Sequence, residues 1–140
     1  MQSHRRQLLA HVLPMVLFLA LLALCQFLTA RGQIFFLRLV VVVPLVEEIF
    51  WRGFLLRFVI DERFERVPFG KFNWLSFAVV TVAFTFSHSR PDWPAAFITG
   101  ALYNVVAYGT GSLASCVLAH AGTNLLLGLW IMQTQQWGFW

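Results

Sequence analysis

The chain has 140 residues, of which 59% are hydrophobic and 11% charged, with a formal net charge of +4 and a mean hydropathy of +0.73. A soluble domain carries about 25% charged residues, so this composition excludes an ordinary soluble globule and indicates one membrane domain over 1–140. The basic residues sit mostly between apolar runs, where they set topology, and no nucleic-acid motif or internal repeat is present.

Five apolar runs follow in order. After a basic head with Arg5 and Arg6, Leu8 to Ala30 gives about 23 residues broken only by His11, Pro14 and Gln26, where a hydrocarbon core needs about 20. The run exceeds the 7 to 15 residues, roughly, of a signal-peptide core and lacks a clear cleavage site, so it is expected to be a retained signal-anchor helix. His11 has no partner at ligand spacing. Arg31-Gly32-Gln33 marks a turn, and the second span runs from Ile34 to about Ile60, with Arg57 off its polar face and expected to snorkel to the surface.

Asp61 to Lys71 is a charged loop whose Phe64, Val67 and Phe69 touch the interface. The third span is Phe72 to His88, stopped by Ser89-Arg90-Pro91, with Trp93 as an interfacial anchor. The fourth is a short one, Pro94 to Tyr108, where Ala96 and Gly100 form a small-residue pair for close helix contact that Asn104 continues. Gly109 to Ser112 is a turn, Ser112 is the candidate N-cap of a fifth span to about Met132, and Trp130 to Trp140 reads as an interfacial end. Arg5, Arg6, Arg57, Arg63, Arg66 and Lys71 on one side oppose Arg31, Arg38 and Arg90 on the other, which places the N-terminus in the cytoplasm. The expected fold is all-α, a polytopic transmembrane bundle of about five helices with its site inside the membrane. Cys25 and Cys116 lie deep in apolar runs without C-x-x-C spacing, so they read as small buried hydrophobes.

Charge inside such a bundle demands an explanation. At a bilayer centre each Asp, Lys or Arg costs roughly 2.5 to 3.5 kcal/mol on insertion scales, while each Leu, Ile, Phe or Val returns only about 0.3 to 0.6. The second span nevertheless contains Glu47, Glu48 and Arg52. With Trp51 they share an arc of roughly 140° at helical periodicity, so one face is polar and must meet protein or water. Glu48 and Arg52 are i,i+4 with the acid N-terminal, the favourable order for an ion pair. Glu47 is left without a local cation and becomes the candidate general base. Pro44 removes the backbone bond to residue 40 and is expected to kink the helix. On later spans Thr81, Thr85 and His88 share a stripe, and His120 and Asn124 are i,i+4 neighbours able to reach one point. A base, two imidazoles and an amide donor could activate water and stabilise an oxyanion.

Glu47-Glu48-x-x-x-Arg52, then Phe84-x-x-x-His88, then His120-x-x-x-Asn124 resemble, in order and spacing, the three motifs of the CAAX protease and bacteriocin-processing family, also called the Abi family, which contains the type II CAAX prenyl endopeptidases. The match covers Pro44 to Asn124. The resemblance implies an integral membrane endopeptidase of a bacterial-type cytoplasmic membrane, acting on membrane-tethered or lipidated peptides. It implies that Glu47 activates the hydrolytic water with help from His88, that His120 and Asn124 hold the oxyanion, that Glu48 and Arg52 are the supporting pair, and that Phe84 shapes the pocket. It implies no cofactor. Many members have more N-terminal helices than the five spans seen here.

Two other readings use the same residues. Glu47, His88 and His120 could instead be the ligands of a catalytic zinc, since two histidines and a glutamate form a known set, although H-E-x-x-H is absent. A scaffold or bacteriocin-immunity protein could keep the fold for binding alone, but has no need of four convergent polar residues. A transporter is a weaker fit, because one span alone is heavily charged and broken helices do not repeat.

Overall fold

The structure is a computed structural model that describes residues 16–18, 20 and 37–136. Most of the first expected span, with His11, Pro14 and Cys25, the turn at Arg31-Gly32-Gln33 and the last four residues lie outside the described residues. Helices and turns account for all regular structure among the described residues, and no strand occurs there. Residues 16–18 and 20 are helical, and Phe18 stacks on Phe50 with ring centroids 4.3 Å apart.

The second expected span is a continuous helical run over 38–58, here α1, whose winding alternates. Arg38–Val42 is π-helical, Val43–Glu48 α-helical, Ile49–Leu55 π-helical again and Leu56–Phe58 α-helical. The first change of pitch has a chemical cause. The Val43 N–H bonds Arg38 O, five residues back, and in that register the next donor belongs to Pro44, which has none. The carbonyl left open is therefore that of Leu39, where an unbroken α-helix would have opened that of residue 40.

Three further helices follow. The first, α2, spans Trp74–Phe86 and is capped by Asn73, whose side-chain oxygen accepts from Ser76 N at 3.0 Å. Next comes α3, Trp93–Thr110, with Pro94 in its first turn, where a missing N–H costs nothing. It ends at Gly111, whose φ of 59° is the left-handed conformation that closes helices. The last, α4, is Leu113–Thr134, and Ser112 caps it as its sequence position indicates, accepting from Ser115 N at 3.3 Å. Gly109 and Thr110 stay helical, so the expected four-residue turn shrinks to two residues. His88 lies two residues beyond α2, carried by the turn that leads into the 3-10 segment Arg90–Asp92.

α3 packs along both α2 and α4, and α4 packs along the N-terminal half of α1. Gly100 lets α3 approach α2 closely, since a Cβ there would stand 2.9 Å from Phe84 Cδ1. Arg57 does not reach for the surface. Its guanidinium donates to Val67 O at 2.9 Å and Gly53 O at 3.1 Å and lies over the Phe64 ring, so it pins the 61–71 loop to the end of α1.

An apolar core that includes Val80, Phe84 and Ile131 also encloses charge, while leucines face outward. Glu48, Arg52 and Asn104 are wholly buried, while Leu118 is 72% and Leu126 69% exposed. By length and apolarity, one helix among the described residues qualifies on its own as a membrane crossing, Leu113–Thr134.

Candidate active site

Glu48, Arg52, Trp51 and Phe54 are drawn into the interior by the two windings of α1. The ion pair expected from i,i+4 spacing forms, with Arg52 Nη1 donating to Glu48 Oε1 at 2.9 Å and both side chains fully buried. Two charges without water need more partners than each other. The guanidinium finds them on α3, donating from Nη2 to Gly100 O at 2.9 Å and from Nε to Asn104 Oδ1 at 3.0 Å. Its flat faces meet the rings of Phe84 and Tyr103, 4.9 and 5.2 Å from their centroids.

Glu48 also reaches α4. Its Oε1 lies 2.8 Å from His120 Nδ1, so the Nδ1 hydrogen faces the carboxylate and the opposite ring nitrogen, Nε2, is free for other work. Tyr103 stacks on the His120 ring, centroids 4.7 Å apart and planes 21° from parallel, and Phe84 meets it edge-on at 6.2 Å. The imidazole is thus held by a carboxylate at one atom and aromatic rings on two sides.

His88 is fixed by the frayed end of α2. Its Nδ1 lies 2.8 Å from Phe84 O, a carbonyl that can only accept, so Nδ1 carries the hydrogen and a neutral ring keeps its lone pair on Nε2. The Trp93 indole bonds His88 O at 3.1 Å, tying the turn down from the α3 side. Trp93, expected as an interfacial anchor, thus holds the turn that carries His88.

Glu47, His88, His120 and Asn124 line a single cavity of about 490 Å³, with Phe84 and Tyr103 in its wall. The Glu47 oxygen Oε2 is buried without a hydrogen-bond partner in the protein. Asn124 arrives with one obligation, since its Nδ2 donates to Leu39 O at 2.9 Å; the second amide hydrogen remains for a ligand. These groups can orient a water between carboxylate and imidazole and present N–H donors to an oxygen that gains charge. Among the described residues no three His, Cys, Asp or Glu side chains assemble as a metal site, Glu47, His88 and His120 included. Cys116 is buried, with its thiol 3.4 Å from Ser112 O, and is a packing residue.

Sequence reasoning missed Asn104 as a partner of Arg52 and Tyr103 as the platform under His120. Asn104 left a trace, an amide four residues after Gly100 on the small-residue face; Tyr103 left none, because an aromatic in an apolar helix is the expected filler.

A model of the type II CAAX prenyl endopeptidase Rce1-like family matches residues 29–126, a stretch that takes in Glu47, His88, His120 and Asn124. The chain belongs to that family, whose members are membrane-embedded proteases. No curated protein and no solved structure matches the chain.

Proposed function

We propose that this protein is an intramembrane endopeptidase of glutamic type that hydrolyses a peptide bond of a membrane-tethered or lipidated substrate. The observation that carries the reading is the meeting of Glu47, His88, His120 and Asn124, from α1, the α2–α3 turn and α4, at one cavity. The buried polar interior and exposed leucines favour a polytopic bundle in lipid, where inward-facing polar groups mark function. Its N-terminus is cytoplasmic by the distribution of arginine and lysine.

In this mechanism Glu47 takes a proton from a water that His88 Nε2 helps to orient. The water oxygen attacks the scissile carbonyl carbon, and the oxyanion receives hydrogen bonds from His120 and from the second amide hydrogen of Asn124. Because the His120 Nδ1 hydrogen faces Glu48, Nε2 can donate only if the ring enters the reaction already protonated from solvent, with Glu48 as its counter-ion. Collapse of the tetrahedral intermediate breaks the C–N bond, and Glu47 returns its proton to the departing amine.

The test is cleavage of an internally quenched peptide ending in a farnesylated Cys-aliphatic-aliphatic-X sequence, beside an unlipidated copy tethered by a hydrophobic helix. Wild type should cleave at least one of them. Glu47→Gln should retain the fold and lose activity by about a hundredfold or more; undiminished cleavage by this variant removes Glu47 as the base.

A further inference from the structure

Five side chains on four helices form one buried chain of hydrogen bonds that runs from α2 to His120 in the cavity wall. Thr81 Oγ1 donates to Phe77 O at 2.7 Å and accepts from Asn104 Nδ2 at 3.1 Å. Asn104 Oδ1 accepts from Arg52 Nε at 3.0 Å; Arg52 Nη1 donates to Glu48 Oε1, and Glu48 Oε1 also faces His120 Nδ1. The polarity of the chain is forced. Arginine can only donate, so the Asn104 oxygen must face it, and the amide nitrogen must then face Thr81. Asn104 is wholly buried and absent from the cavity wall, whereas His120 is in that wall.

We infer that Asn104 is a positioning residue for the cleavage reaction: anchored by Thr81 on α2, it orients the Arg52 guanidinium so that Glu48 holds the His120 imidazole in place. The inference rests on the endopeptidase reading above. Glu48 alone does not set this geometry, because its other oxygen, Oε2, is buried without a partner and its carboxylate could turn. What fixes the shared oxygen is Arg52, and what fixes Arg52 is a fork of three donors met by Glu48, Gly100 O and Asn104. With Asn104 shortened, the Nε hydrogen is buried without an acceptor and the guanidinium swings away from the carboxylate.

The experiment compares the full chain in lipid nanodiscs with Asn104→Ala, Thr81→Val and Glu48→Gln, and reads two quantities. One is the proton resonance of His120 Nδ1–H in chain labelled at its histidines with nitrogen-15. The other is kcat and KM on whichever tethered peptide the wild type cleaves. Asn104→Ala should shift or broaden the Nδ1–H resonance and lower kcat by about ten- to a hundredfold with KM unchanged, since no cavity contact is lost. In a Glu48→Gln background the same substitution should cause no further loss, because both act through one imidazole. Thr81→Val removes the nearer acceptor of the Asn104 amide but leaves it Phe77 O at 3.4 Å. It should move both readouts in the same direction by less, which keeps the test open if Asn104→Ala does not fold. An unchanged resonance and kcat in folded Asn104→Ala, or an equal loss in the Glu48→Gln background, overturns the inference. If wild type cleaves neither peptide, the endopeptidase reading fails, while the resonance still decides whether Asn104 holds His120.

Discussion

The side-chain amide of Asn124 on α4 donates to the carbonyl of Leu39 on α1 at 2.9 Å, the acceptor that Pro44 leaves open one π-helical turn later. Two residues eighty apart in sequence thus compensate for each other, and the pairing holds α4 against the part of α1 that carries Glu47. Asn124→Ala should lower stability by about 1 to 2 kcal/mol, the cost of leaving a part-buried acceptor unmet. Pro44→Ala restores the missing N–H, so the double variant should recover a large part of that loss. Thermal unfolding in detergent measures both, and additive losses in the double variant would refute the compensation.

Gly100 lets α3 run close against the Phe84 ring. An alanine Cβ would meet Phe84 Cδ1 at 2.9 Å, and that ring both lines the cavity and carries the Arg52 guanidinium on its face. Gly100→Ala should cost about 1 to 3 kcal/mol of stability through overpacking and reduce kcat/KM with it. Gly109→Ala and Gly122→Ala are the controls, because a Cβ at either position meets nothing and a helical Gly-to-Ala change is worth up to about 1 kcal/mol in the stabilising direction. Equal behaviour of all three in a melting series would show that the contact is relieved elsewhere.

Arg52 and Glu48 are both without solvent, so removing one charge strands the other. Arg52→Met should destabilise by about 3 to 5 kcal/mol. Arg52→Lys keeps the charge and can hold Glu48, but an ammonium has no planar fork to span Glu48, Asn104 and Gly100 together. It should therefore recover stability without recovering full activity. Chemical denaturation read beside cleavage separates the two effects, and a fully active Arg52→Lys chain would show that the fork is dispensable.

Cleavage should survive metal removal. Glu47, His88 and His120 reach one cavity without assembling as a ligand set. Exhaustive treatment with 1,10-phenanthroline followed by elemental analysis should leave the rate within about twofold of the untreated chain, since the carboxylate mechanism calls on no metal. Loss of activity that added zinc restores would assign the chemistry to a metal instead.

The site was legible in the linear chain to the extent that its contacts are local. Helical periodicity alone pairs Glu48 with Arg52, and Ser112 announces the start of α4, because partners three or four residues apart meet whatever surrounds them. Three motifs on the second, third and fifth apolar runs likewise mark Glu47, His88, His120 and Asn124, since polar groups in such runs need protein or water partners. Tertiary structure alone decided where the remaining hydrogen bonds go. Asn104 became the third partner of Arg52, Arg57 turned to the loop carbonyl of Val67, and the open carbonyl proved to be that of Leu39. Those outcomes depend on which helices lie side by side and on the π winding of α1. Both follow from packing the whole bundle, in which Arg52 and Asn104 find their partners on neighbouring elements.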